Sequence, residues 1–206
     1  MIRLEHVSIE FGRRKIVSDF NLAVGKGQLV CLMGESGCGK TSVLRALLGF
    51  VPVSSGRIWM GGDELSLHTV HHIRQITAYV PQELALPSEW VSEMVRLPFE
   101  LKTNQHIRFE EEKLFQYWDM LGLSRDLYQS KVCRISGGQR QRIMLAAAAM
   151  LDKDILLIDE PTSALDSDSS GRVFRFFSLL KEQGKTILAV THDRKFASGC
   201  DRTVNM

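Results

Sequence analysis

Residues 34–41, Gly34-Glu35-Ser36-Gly37-Cys38-Gly39-Lys40-Thr41, constrain this chain more than any other stretch. They fit the pattern G-x-x-x-x-G-K-[ST]. They lie between an apolar run, 29–33, that reads as a buried strand and residues 42–48, whose apolar positions recur at helical spacing. Strand, glycine loop and helix together make an anion cradle. Glycines let the backbone curl with its N–H groups inward, and the helix start adds positive potential. There Lys40 can reach the β- and γ-phosphates of a nucleotide, and the Thr41 hydroxyl can ligate Mg²⁺. The plain alternative is a glycine-rich turn that matches by accident. It leaves the flanking strand and helix patterns unexplained.

The 206 residues suffice for one substantial core, or a core plus a small subdomain. A net charge of +2 gives no electrostatic support for binding nucleic acid, though a local basic patch is compatible with it. The four cysteines, Cys31, Cys38, Cys133 and Cys200, have no C-x-x-C spacing, so neither a zinc site nor a redox pair is expected. Cys31 and Cys200 read as small apolar packing groups. Free thiols without a signal peptide favour the cytoplasm. The longest apolar run, 143–151, is too short to span a bilayer, so a membrane connection has to come through a partner.

Alternation over 2–9, a turn at 12–15 and a return over 16–24 predict an antiparallel hairpin. Residues 57–60 read as a short strand ended by Gly61-Gly62, 71–75 as a helical turn and 76–80 as a strand. From about 81 to 151 the texture becomes mainly helical, punctuated by Pro87 and Pro98, with a clear stripe over 110–121. The apolar run 155–158 is the mark of a central parallel strand. A helix over 168–182 is expected to bury Val173, Phe174, Phe177 and Leu180, and 186–190 is a further strand. The histidines at 6, 68, 71, 72 and 106 match no motif and read as solvated loop positions.

Asp159 and Glu160 follow directly on the strand at 155–158. Ligands bind beyond the carboxyl ends of parallel strands, so both carboxylates can face the phosphates. One can hold Mg²⁺ and the other can polarise a water for in-line attack. An acidic strand end facing solvent is the alternative. Ser136-Gly137-Gly138-Gln139 opens an alanine-rich helix, and S-x-x-Q is a capping box. Two glycines at a helix start also expose N–H groups to an anion, although they weaken the helix. Two anion-binding helix starts with one set of catalytic groups suggest that each nucleotide lies between two copies of the chain.

Across essentially its whole length the chain resembles the ATP-binding cassette ATPases. The residues that carry the resemblance are GESGCGKT at 34–41, Gln82 after Tyr79-Val80-Pro81, ISGGQRQR at 135–142, ILLIDE at 155–160, SALD at 163–166, and His192 within VTHD. The resemblance implies an α/β P-loop NTPase (RecA-like) core with a small antiparallel β subdomain and an inserted α-helical subdomain. It implies one domain over 1–206, with 1–82 and 152–206 as catalytic core and 83–151 as the helical part. Gly34, Glu35, Ser36, Gly37, Cys38, Gly39, Lys40, Thr41 and Ser42 would hold the ATP phosphates. Phe11 would stack on adenine where the family usually has Tyr, although a hairpin-turn Phe also buries readily. Gln82 would sense Mg²⁺ and the attacking water, and would couple the site to a membrane partner. Thr41, Gln82 and Asp159 would serve the metal. Glu160 would be the general base, with Lys40, His192 and Gln82 completing the catalytic set. Ser136, Gly137, Gly138 and Gln139 would meet the γ-phosphate held by a second copy, and Asp166 would cross the dimer interface.

The implied function is the ATP-hydrolysing subunit of a transporter. It would work as a homodimer with a separate integral membrane permease, at the cytoplasmic face of the cell membrane, and without nucleic acid. The helical insertion would present a docking groove beside Gln82. The chain's compact length and residues 95–99 look nearest to stand-alone ATPases of export, lipoprotein-release or putative metal-export type. A soluble cassette ATPase acting on nucleic acid or ribosomes is the competing reading, but such relatives usually carry two cassettes or a long coiled-coil insertion. A metabolic P-loop kinase shares only the phosphate loop. Two departures stand out: Ala146–Ala149 fill a region where the family usually has an Arg, and Thr41-Ser42 reverses the common order of hydroxyls. Cys38 beside the phosphates should make ATP binding sensitive to bulky thiol reagents.

Overall fold

The computed structural model describes residues 1–82 and 88–206. The N-terminal hairpin pairs β1 (Ile2–Phe11) with β2 (Arg14–Val24) in antiparallel fashion. β1 buries Ile2, Leu4, Val7 and Ile9. The buried spacing changes phase between Leu4 and Val7, and there His6 adopts φ +50° and the register slips. This bulge returns the later apolar residues to the core face. It also places His6 on a strand rather than in a loop, with Nδ1 2.6 Å from Asp19 Oδ1 in solvent.

The chain continues through β3 (Leu29–Met33), α1 (Lys40–Leu47), β4 (Ser55–Met60) and β5 (Asp63–Glu64). Next come α2 (Val70–Gln75), β6 (Thr77–Val80), α3 (Val91–Glu100) and α4 (Glu111–Leu121). His71 and His72 lie in α2, not in a loop. Two 3-10 turns, Arg125–Gln129 and Val132–Arg134, lead into α5 (Gly137–Met150). The chain ends with β7 (Ile155–Asp159), α6 (Ser167–Glu182), β8 (Thr186–Thr191), α7 (Arg194–Ser198) and β9 (Arg202–Asn205). One sheet has the order β2-β1-β4-β5 with antiparallel pairings, and the other has the order β6-β7-β8-β3-β9 with parallel pairings.

Side-chain alternation along the parallel strands divides the core in two. Val30, Leu32, Ile155, Leu157, Leu188 and Val190 face α1 and the antiparallel sheet. Leu29, Ala78, Val80, Leu156, Ile158, Ile187 and Ala189 face α3–α6. Trp118 of α4 and Phe176 and Phe177 of α6 are fully buried on the second side. Truncating Trp118 to Ala there would cost about 3–5 kcal/mol.

Several local expectations need correction. Phe176, not Phe174, fills the buried position of α6, because 173, 176, 177 and 180 share one helical face and Phe174 falls off it, half-buried. Pro98 does not interrupt the chain; it sits within the last turn of α3, and its carbonyl accepts from Asn104 Nδ2 at 2.8 Å. β5 and β9 carry too little periodicity to be read in sequence and exist through pairing with β4 and β3. The expected start of the helical insertion at residue 83, and Pro87, lie outside the described residues. Ala146–Ala149 are buried, so α5 has close-packed methyl groups where an ion pair would need room.

Candidate active site

In the parallel sheet Met33 is in register with Thr191, Asp159 with Val190, and Val80 with Ile158. The segments that leave the carboxyl ends of β3, β6, β7 and β8 therefore start side by side. They are the glycine loop, Pro81-Gln82, Glu160 and His192.

The glycine loop is shaped by Gly39, the N-cap of α1, at φ +104°. A Cβ there would stand 2.8 Å from methyl carbons of both Ile16 and Val17, so this close approach to the hairpin excludes any side chain. α1 begins without a side-chain cap and without an acidic residue in its first turn, which leaves its N–H groups for an external anion. Lys40 is 7% exposed, and its Nζ donates to Gly34 O at 2.8 Å and Glu35 O at 2.9 Å, with Cys38 Sγ at 3.9 Å. The ammonium thus folds back on its own loop, held by neutral carbonyls.

Asp159 is 2% exposed, and its Oδ1 has no hydrogen-bond partner among the described residues. Burial pushes its carboxyl above the usual carboxylate range, and the Glu160 charge adds to this. The Thr41 hydroxyl, Arg45 and Lys40 pull the other way. An orphaned buried carboxylate oxygen beside a hydroxyl is a hard-oxygen donor set short of positive charge, which fits Mg²⁺. No group of three His, Cys, Asp or Glu side chains that could hold a metal ion exists among the described residues. Mg²⁺ needs none, since one carboxylate, a hydroxyl and phosphate oxygens suffice.

Glu160 adopts φ +50° just past β7, and its N–H donates to Val190 O at 2.9 Å. Its Oε2 accepts from Thr191 Oγ1 at 3.1 Å and lies 3.0 Å from His192 Nδ1. Thr191 Oγ1 in turn accepts the Asp193 N–H at 3.0 Å, which aims the threonine hydroxyl proton at Glu160. A cavity of about 480 Å³ is walled by Lys40, Thr41, Gln82, Glu160 and His192, with Phe11 at its rim, 51% exposed. Ser36, Gly37, Gly39 and Ser42 line the same cavity. Gly34, Glu35 and Cys38 complete the loop, and Asp159 lies buried at its strand end.

The residues Ser136, Gly137, Gly138, Gln139 and Asp166 do not line this cavity. Ser136 Oγ accepts the Gln139 N–H at 3.1 Å and Gln139 Oε1 accepts the Ser136 N–H at 2.8 Å, which closes the capping box. Gly138 packs so tightly that a Cβ would lie 2.6 Å from Ala164 O. Asp166 caps α6 by accepting the Ser169 N–H at 2.7 Å, and that bond holds its carboxyl below the usual range. Sequence reasoning missed Thr191 and Gln141. The register of β8 beside β7 could have pointed to the first, whereas Gln141, although inside the quoted stretch 135–142, has no spacing that ties it to residue 160.

A profile of the ABC transporter family matches residues 17–163. The chain is 31% identical over 200 residues to the lipoprotein-releasing system ATP-binding protein LolD 1 of Chlorobium chlorochromatii, which covers 94% of this chain and 81% of that protein. It is 33% identical to the spermidine/putrescine import ATP-binding protein PotA of Fusobacterium nucleatum, over 95% of this chain and 52% of that protein. The dimeric post-hydrolysis structure of the ATP-binding cassette MJ0796 bound to ADP and Pi superposes with a TM-score of 0.86 at 26% identity. The match covers 100% of this chain and 94% of that one. A glycine loop, paired acids and a histidine at the carboxyl ends of one parallel sheet, in a chain of this ancestry, identify a member of the ABC transporter family: an ATP-binding cassette ATPase.

Proposed function

We propose that two copies of this chain close around two ATP molecules and drive a separate membrane permease. The observation that carries this reading is the Glu160 carboxylate, fixed through Oε2 by Thr191 and His192 in the same cavity that Lys40 lines. Phe11 at the rim stacks on adenine. Gly34 to Gly39, Lys40, Thr41 and Ser42 hold the phosphates, and Lys40 exchanges its two carbonyl partners for phosphate oxygens. Asp159, Thr41 and Gln82 would hold Mg²⁺, which would supply positive charge to the phosphates. Glu160 takes a proton from water through Oε1 as the water oxygen bonds to the γ-phosphorus. The bond to the bridging oxygen breaks, its electron pair leaves with ADP, and Lys40 stabilises that charge. With Nδ1 directed at Glu160, His192 presents Nε2 to the γ-phosphate. Ser136, Gly137, Gly138, Gln139 and Asp166 serve the site of the second copy.

The permease reading rests on the relatives' names and on a second cavity of about 530 Å³. This groove runs along the free edge of β6 between Phe50, Leu97, Leu101 and Met144, and Phe50 and Leu101 are exposed within it. It takes a helix from the permease, which would place the chain at the membrane although no helix among the described residues is long and apolar enough to cross one. Glu160→Gln tests the mechanism. Losing the base should lower kcat by about 10²–10⁴-fold, keep ATP affinity and accumulate an ATP-bound dimer on size exclusion. Wild-type turnover in that variant would overturn the assignment.

A further inference from the structure

Glu160 holds a backbone conformation that side-chain-bearing residues adopt only when their surroundings over-determine it. Most of its restraints are local to the carboxyl ends of β7 and β8. Its N–H is held by β8, its carboxylate by Thr191 and His192, and its carbonyl accepts the Ser163 hydroxyl at 3.3 Å. One restraint comes from the helical side. The Gln141 side chain, 6% exposed, donates its Nε2–H to the Glu160 carbonyl. Only the amide NH₂ of Gln141 can face a carbonyl oxygen, so the orientation of the side chain is fixed by its partner.

Gln141 stands on α5, four residues after the Gly137 that opens the helix and two after Gln139 of the capping box. The same helix start is pinned against Ala164 by the close approach of Gly138. A rigid helix therefore carries at one end the groups assigned to a second copy's nucleotide. One turn along, it carries the amide that holds the backbone of its own copy's carboxylate. We infer that Gln141 is a positioning residue that sets the Glu160 backbone according to the position of α5, so that closure over one nucleotide aligns the base for the other. This rests on the assignment of Glu160 as the base. It adds a direct link between the two half-sites that does not pass through the docking groove.

The test uses the full chain with ATP and Mg²⁺. Gln141→Met keeps the side chain's length and removes the donor. It should lower kcat at least tenfold while the KM for ATP stays within about threefold, with a far-ultraviolet circular dichroism spectrum like that of the wild type. Gln141→Glu supplies a donor only when protonated, because an ionised carboxylate accepts and cannot donate. Its kcat relative to wild type should therefore rise at least threefold between pH 8 and pH 6, while the Gln141→Met ratio stays flat. A merely structural role would lower the Tm of Gln141→Glu together with its kcat as pH rises, whereas a positioning role lowers kcat at a pH where the circular dichroism spectrum still matches the wild type. If the wild type hydrolyses ATP and Gln141→Met turns over like it, or if the Gln141→Glu ratio is flat with pH, the inference fails. If Glu160→Gln is fully active, the base assignment fails instead, and the two failures are told apart.

Discussion

The two glycine-marked helix starts differ in what their N–H groups already hold. α1 begins at Lys40 behind Gly39 with no side-chain cap, and its first turn faces a cavity. α5 begins at Gly137 with its cap closed in both directions by Ser136 and Gln139. The first is an anion site with its donors waiting. The second must give up a capping bond before it can meet a phosphate, a net change of about 1 kcal/mol. On the function proposed above, ATP would bind α1 in a single chain and would meet α5 only when a second copy supplies further contacts.

The largest expected effect uses the two cysteines that stand one beside each helix start. Cys38 lies two residues before Lys40, and exposed Cys133 lies three before Ser136. In a Cys133→Ser background, a bulky maleimide on Cys38 should abolish binding of a fluorescent ATP analogue, with ATP protecting. In a Cys38→Ser background, the same reagent on Cys133 should leave binding to the single chain intact. Equal loss in both backgrounds would mean that the two starts form one site.

Ser136→Ala comes next. Loss of the cap should lower Tm by about 2–4 °C, corresponding to about 1 kcal/mol in a chain of this size. Hydrolysis should fall about tenfold through the half-site contact while ATP affinity of the single chain holds. Calorimetric titration showing weakened binding would erase the contrast between α1 and α5.

The smallest effect concerns the floor beneath α1. Burial raises the Asp159 carboxyl, so the folded chain holds that proton more tightly than the unfolded chain does. Stability is then lost as pH rises from the unfolded value, about 3.9, through the raised folded value, and the deficit is full above it. Asp159→Asn should raise the Tm of the nucleotide-free chain at pH 7, with the difference shrinking toward pH 4, while Mg²⁺-dependent hydrolysis is lost. Scanning calorimetry across that range checks the sign. A lower Tm at pH 7 would mean that Asp159 stabilises the fold rather than waiting for a cation.

Where the deciding physics was local, the chain could be read directly. The phosphate loop, the strand 155–158, the α4 stripe of Leu114, Tyr117, Trp118 and Leu121, and the capping box at Ser136 each follow from neighbours within about two turns. Tertiary structure decided the rest. β9 is a strand because β3 offers an unpaired edge, and Glu160 turns left-handed because Val190, Thr191 and Gln141 hold it there. Those contacts join residues 19 to 172 positions apart, through register between parallel strands and the packing of one helix. No pattern in the order of residues encodes such register, because each partner satisfies its own local rule wherever the other lies.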